Sequence, residues 1–260
     1  MSAEVYTRAV VRPPGESFDA GLTSAELGKP DFDVAVEQHE AYCRALEECG
    51  LRLTRLLADD RYPDSTFVED TAILTPRGAV ICRPGAISRI GETEEIARVL
   101  RPDFTRIYTI QEPGTVDGGD ICEAGDHFFI GVSHRTNEAG ATQLATFLTE
   151  LGYTFTLIDI RGLSNILHLK SGIAYLGDSR IVIIDELKDR KEFSGYDLVH
   201  VNAAEAYAAN CLLVNERVLV AAGYPGLQRR LRDLDYDTIV LEMSEFQKMD
   251  GGLSCLSLRF

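Results

Sequence analysis

The sequence predicts an α/β propeller of five units, closed into a ring by pairing the first and last strands of the chain. Three observations lead there. One strand–strand–helix–strand pattern returns along the chain. The N-terminal stretch lacks the first strand of that pattern. The C-terminal stretch offers one strand with no partner of its own.

The first full copy starts near Phe67, with FVEDTAIL, AVICR, the helical GETEEIARVL and TRIYTI. The next starts near Gly118, with GGDICEA, HFFIGV, TNEAGATQLATFLTELG and TFTLIDI. The third starts near Leu167, with LHLKSGIAYL, RIVII, a short charged segment and DLVHV. The fourth starts near Ala209, with ANCLLVN, RVLVAAG, PGLQRRLRDLD and TIVLEM. Pro76, Gly78, Gly125, Asp126 and Gly177 punctuate the turns between paired strands. The N-terminus supplies only the strand YTRAVV, the helix VAVEQHEAYCRALEECG and the strand LRLTRLL. If the orphan LSCLSLRF completes that unit, closure removes the open sheet edges. An open doubly wound sheet is the alternative. Tight strand pairs argue against it, because parallel neighbours need long crossovers. One catalytic domain over 1–260 is expected.

The chain has 260 residues, enough for a sizeable core. Its formal charge of −15 repels phosphate backbones, so nucleic acid is not expected as a partner. The same surplus draws a small cation. The start MSAEVYTRAVV lacks a basic region followed by an apolar run, and no uncharged apolar stretch is long enough to cross a bilayer. The six cysteines form no C-x-x-C pair, so they read as reduced thiols in the cytoplasm.

The polar residues fall at matching places in the units. Asp70, His168 and Asn210 are expected at the start of the first strand of their units, Asp117 just before it, and Cys255 at the same place in the closing strand. Rotation about one axis would bring the five side chains together. Cysteine and histidine make a nucleophile and a proton shuttle. Two carboxylates beside a thiol hinder its ionisation, unless the substrate is itself a cation. A planar guanidinium suits both carboxylates. Each residue also has an ordinary explanation. His168, between two leucines, could be a core histidine; Asp117 in TVDGGD could be a turn residue; Asp70 could cap a loop. Zinc uses the same side chains, but this set lacks a familiar ligand spacing, so no metal is expected.

The motifs PDSTFVED at 63–70, RPGAISR at 83–89, GTVDGGD at 114–120, LHLKSG at 167–172, YAANC at 207–211 and DGGLSCLSLRF at 250–260 resemble those of the dimethylarginine dimethylaminohydrolases. So do GLTSAELGKPD at 21–31, EQH at 37–39, GETEEI at 91–96, RTN at 135–137, NERV at 215–218 and AGYP at 222–225. The resemblance runs along essentially the whole chain and implies a five-unit propeller. It implies Cys255 as nucleophile, His168 as proton donor, and Asp70 and Asp117 as the guanidinium clamp. Some relatives carry Glu where this chain has Asp117, one methylene shorter. Arg89 and Arg135 would hold the substrate carboxylate. Asp64 and the backbone carbonyls of Leu22 and Met249 would receive its α-amine. Glu69 would support Asp70 or a substrate nitrogen, and the loop of Leu22 could act as a lid. Cleavage of methylated arginine to citrulline and methylamine or dimethylamine needs no cofactor. Zinc could inhibit by bridging Cys255 and His168. The rivals are an arginine deiminase and a non-catalytic ring that binds a cationic amino acid. Self-association into a homodimer is left open.

Overall fold

In the computed structural model, residues 5–260 are described. The reading of the extreme N-terminus as lacking a leader therefore falls partly outside them. The described residues form five sheets of three strands each.

Every sheet has the same plan. A central strand pairs antiparallel with one neighbour and parallel with the other. The first full copy is built from Ala72–Thr75, Gly78–Ile81 and Ile107–Thr109. The second is Ile121–Ala124, His127–Val132 and Thr154–Asp159. The third is Ile173–Tyr175, Arg180–Ile184 and Asp197–Val201. The fourth is Leu212–Val214, Arg217–Ala221 and Asp237–Leu241. The remaining sheet joins the chain ends: Leu258–Arg259 pairs antiparallel with Arg8–Val11, with Ala9 facing Arg259 and Val10 facing Leu258. Arg8–Val11 in turn pairs parallel with Arg52–Arg55.

The residues explain the plan. In the four full copies the antiparallel neighbours are joined by tight turns, such as Gly125–Asp126 and Asn215–Glu216, where Gly125 and Asn215 take positive φ. The parallel neighbours are reached over helices: Phe32–Glu48, Thr93–Leu100, Glu138–Glu150 and Pro225–Asp233. The third copy uses the 3₁₀ turn Lys191–Phe193 instead, as its short charged segment foretells. Central strands are continuous apolar runs, GAVI and RIVII among them, because both of their faces are covered. Helix Phe32–Glu48 is capped by Asp31, whose side chain accepts from the Val34 N–H. It buries Ala35, His39, Tyr42, Cys43 and Leu46, an i, i+3/i+4/i+7 stripe. Each large apolar side chain so buried contributes about 1.5–3 kcal/mol.

One expectation is corrected. Asp70, His168, Asn210 and Cys255 do not begin their strands. They lie two to five residues ahead, in or beside the 3₁₀ turns Val68–Thr71, Leu169–Ser171, Ala203–Ala209 and Ser254–Leu256; Asp117 likewise precedes the turn Gly118–Asp120. A strand would send successive side chains to opposite faces; a short turn frees each one to take its own offset. The turns pack against one another in order. Val68–Thr71 touches Ser254–Leu256 and Gly118–Asp120, and Leu169–Ser171 touches Gly118–Asp120 and Ala203–Ala209. Among the described residues, no helix is long and apolar enough to cross a membrane.

Candidate active site

The turns bring three reactive groups together. Ligand atoms of Asp70, Asp117 and His168 all lie within 4.8 Å of one another. His168 Nε2 lies 3.1 Å from Asp117 Oδ2. All three side chains are buried. Gly118 and Gly119 make this approach feasible. A Cβ on Gly119 would stand 2.7 Å from His168 Nδ1 and 3.0 Å from Asp70 Oδ1, and one on Gly118 would collide with the Glu69 carbonyl. The paired glycines of TVDGGD are therefore packing requirements of the site.

Each carboxylate is oriented before any substrate arrives. Asp70 Oδ1 accepts from the Gly119 N–H at 2.8 Å, and its Oδ2 meets Arg89 Nη1 at 2.6 Å. Asp117 Oδ1 accepts from the Gly85 N–H at 2.8 Å. Carboxylate oxygens have two lone pairs each, so both side chains retain capacity for further donors.

The electrostatics follow from these contacts. Burial works against charge on His168, but Asp70, the Asp117 hydrogen bond and Asp120 outweigh it and push the imidazole up to about 9. Burial would raise Asp70; the His168 and Arg89 charges overcome it and hold the carboxyl down at about 2. Cys255 goes the other way. Burial, then the charges of Glu69 and Asp70, push its thiol up to about 12. Its Sγ accepts from the Gly252 N–H at 3.4 Å. At neutral pH the site thus holds an imidazolium, ionised Asp70 and a protonated thiol.

The other expected residues sort into two groups. Leu22, Asp64 and Met249 meet at one place. The Leu22 N–H donates to Asp64 Oδ1 at 3.0 Å, and Gly21 packs between Asp64 and Met249. The following loop is tied down by Thr23 Oγ1 donating to the Lys248 carbonyl and by Ser24 Oγ donating to Asp250. Burial raises the Asp64 carboxyl, while Arg89 and Arg135 pull it back. Arg135 is half-buried, its backbone against Gly85. Arg89 is buried and engaged by the protein itself: besides Asp70 it donates to Glu92 and to the carbonyls of Asp64 and Phe67. The Glu69 carboxylate is also engaged, by Ser254 Oγ at 2.7 Å and Lys170 Nζ at 2.7 Å.

Sequence reasoning missed Glu92 and Asp120. Glu92 stands one helical turn from Arg89, a spacing that pairs charges. Asp120 is wholly buried and fixes the His168 turn, accepting from the Leu169 N–H at 3.1 Å and from Ser133 Oγ at 2.6 Å. Among the described residues, Asp70, Asp117 and His168 are also the group that could hold a metal ion. That set differs from the Cys255 and His168 bridge expected for zinc.

The arginine deiminase family model matches residues 57–196. The N(G),N(G)-dimethylarginine dimethylaminohydrolase of Pseudomonas aeruginosa is 44% identical over 257 residues, covering 98% of this chain and 100% of that protein. The solved structure of a Cys-to-Ser mutant of DDAH from Pseudomonas aeruginosa, complexed with citrulline, matches with a TM-score of 0.96 and 43% identity, covering 99% of this chain and 100% of that one. A His-to-Gly variant of dimethylarginine dimethylaminohydrolase, solved as an adduct with S-methyl-L-thiocitrulline, matches with a TM-score of 0.95 and 44% identity, over 98% of this chain and 100% of the other. On likeness of this extent, the chain belongs to the dimethylarginine dimethylaminohydrolase family.

Proposed function

We propose that this chain hydrolyses N(G),N(G)-dimethylarginine and monomethylarginine to citrulline, releasing dimethylamine or methylamine. The observation that carries this reading is the convergence of Asp70, Asp117 and His168 within 4.8 Å. Two carboxylates and an imidazolium, beside a turn bearing a cysteine, fit a guanidinium attacked at its central carbon.

Asp70 and Asp117 accept the guanidinium N–H groups. The bound cation offsets the carboxylate charge that holds the Cys255 thiol up, and the thiol gives up its proton to solvent, His168 being already protonated. Cys255 Sγ then bonds to the guanidinium carbon. The C–N bond to the methylated nitrogen breaks, and His168 supplies the proton that lets the amine leave. A thiouronium joined to Cys255 remains. His168, now neutral, takes a proton from water as the water oxygen attacks the same carbon. The C–S bond breaks, citrulline leaves, and the thiol is restored. This chemistry calls on side chains alone and on no cofactor.

The remaining assignments are part of the same proposal. Arg135 receives the substrate carboxylate, with Arg89 as the second cation of that subsite. Asp64 and the carbonyls of Leu22 and Met249 take the α-amine. Glu69 supports Asp70 from behind. The five sheets surround one axis as a propeller, closed where Leu258–Arg259 meets Arg8–Val11, and residues 1–260 make one catalytic domain. Cyclic packing of the five turns supports that arrangement. A cytoplasmic setting suits six free cysteines.

The test is incubation with asymmetric dimethylarginine and, separately, arginine, in water enriched in oxygen-18. Equal amounts of citrulline and dimethylamine, with one labelled oxygen in the citrulline, are expected. Preferential release of ammonia from arginine would assign a deiminase. Binding without turnover would assign a non-catalytic ring.

A further inference from the structure

Behind the reactive atoms lies a circuit of polar contacts that the chemistry above does not use. Each member is tied to a reactive residue by the chain. Glu69 adjoins Asp70, Ser254 adjoins Cys255, and Lys170 lies in the turn that His168 opens. Ser254 Oγ donates to Glu69 Oε2 at 2.7 Å, and Lys170 Nζ pairs with Glu69 Oε1 at 2.7 Å. Asn210 completes the circuit. Its Nδ2 donates to the Lys170 carbonyl at 2.9 Å and to Ser254 Oγ at 3.1 Å. Its Oδ1 accepts from the Ser254 N–H at 2.9 Å.

One amide therefore joins the backbone of the His168 turn to the backbone of the Cys255 turn, 44 residues away from Asn210 along the chain on one side and 40 on the other. Asn210 is 7% exposed, and its donors and acceptor are used. The approach to Cys255 also wraps the amide closely: a Cβ on Gly252 would stand 2.5 Å from Asn210 Oδ1. Glu69 also spans these two turns, but only through the Lys170 and Ser254 side chains; among the described contacts Asn210 is the side chain bonded to the backbone of both.

We infer that Asn210 is a positioning residue that fixes the separation of Cys255 from His168. The inference rests on those two residues being nucleophile and proton donor. A displacement of about 1 Å in such a pair lowers turnover by roughly a hundredfold, while leaving ground-state binding to other groups. The amide touches neither substrate nor reacting atoms; it acts through the two turns.

The test uses Asn210→Ala and Asn210→Asp in the full chain. The Asp variant keeps volume and the acceptor toward the Ser254 N–H but faces the Lys170 carbonyl with an acceptor, so a melting curve first establishes that each variant assayed is folded. Turnover of asymmetric dimethylarginine is measured across pH, per folded molecule. The expected result is a fall in kcat of about tenfold to a hundredfold with KM held within about threefold, and no recovery as pH rises. A folded variant with native kcat, whatever its melting temperature, overturns the inference. So does recovery of the Asp variant to native kcat at high pH, since the added charge on the thiol would then be the whole effect. If instead the wild-type protein releases no citrulline, or Cys255→Ser stays active, the function proposed above fails rather than this refinement of it.

Discussion

His168 Nε2 rests 3.1 Å from Asp117 Oδ2, and in the mechanism proposed above this contact couples the proton donor to the substrate clamp. The two carboxylates that would accept guanidinium N–H groups, Asp70 by its charge and Asp117 by this hydrogen bond, are among those that stabilise the imidazolium. On that mechanism, substrate binding would compete for the charge that keeps the His168 proton in place. The same event that would ionise Cys255 would prepare His168 to release its proton.

Asp117→Asn tests this coupling. The amide keeps shape and loses charge. The charge-assisted bonds involved are worth roughly 1.5–3 kcal/mol, so kcat falls at least about tenfold. The His168 imidazole also titrates lower than about 9. Citrulline release and an imidazole proton titration by NMR check the two halves. Native kcat would reduce Asp117 to a turn residue.

Gly119→Ala pushes a methyl between His168 Nδ1 and Asp70 Oδ1, at 2.7 and 3.0 Å. Overpacking of this kind costs about 1–3 kcal/mol in stability. The loss in kcat is expected to exceed about tenfold, because both displaced groups belong to the chemistry. A folded variant of near-native rate, assayed beside its melting temperature, would show that the turns have room to separate.

Stability follows pH with a definite sign. His168 is raised from 6.5 to about 9, so its stabilising contribution is complete below its unfolded value and fades as pH rises through about 9. Asp70 is lowered from 3.8 to about 2; its contribution is complete above 3.8 and fades as pH falls through about 2. Denaturant midpoints of the wild type between about pH 6 and 10 should decline, and those of His168→Gln should not share that decline. Parallel curves would deny the raised His168.

The strand count, the helices of the crossovers and the pairing of the chain ends were legible because apolar periodicity and turn residues mark them directly. RIVII and RVLVA could hardly be anything but buried strands. Asp70, Asp117, His168 and Cys255 stood out by residue type and by matching places in the repeat; the structure brings the first three together, from turns ahead of the strands rather than from the strand starts expected for Asp70 and His168. The 3₁₀ turns were not, because three or four residues carry no period. Nor was the Arg89–Glu92–Asp70 network, since nothing local shows that an arginine in RPGAISR is buried rather than exposed. Asp120 carries no signal of its own, because an aspartate after two glycines in TVDGGD reads as part of a turn.

Cysteine specificity gives a simpler prediction. Cys43, Cys82, Cys122 and Cys211 are buried, and burial pushes the thiols of all four up. Replacing any of them, or the half-buried Cys49, by Ala leaves most activity in place. Cys255→Ser abolishes turnover with the fold retained, as circular dichroism beside the citrulline assay will show. Substantial activity in the folded Ser variant would take the nucleophile role from Cys255.

The central claim is that Cys255 rests as a thiol and ionises only when a cation occupies the clamp. The direct measurement is the rate of Cys255 alkylation by a neutral haloacetamide against pH, in the free protein, repeated with a small cationic amidine that carries the same leaving group. The account predicts slow neutral alkylation at pH 7 that keeps rising past about pH 9 toward the thiol's value of about 12, and faster reaction of the amidine at pH 7. An alkylation profile that levels off below neutral pH would show a preformed Cys255–His168 ion pair and contradict it.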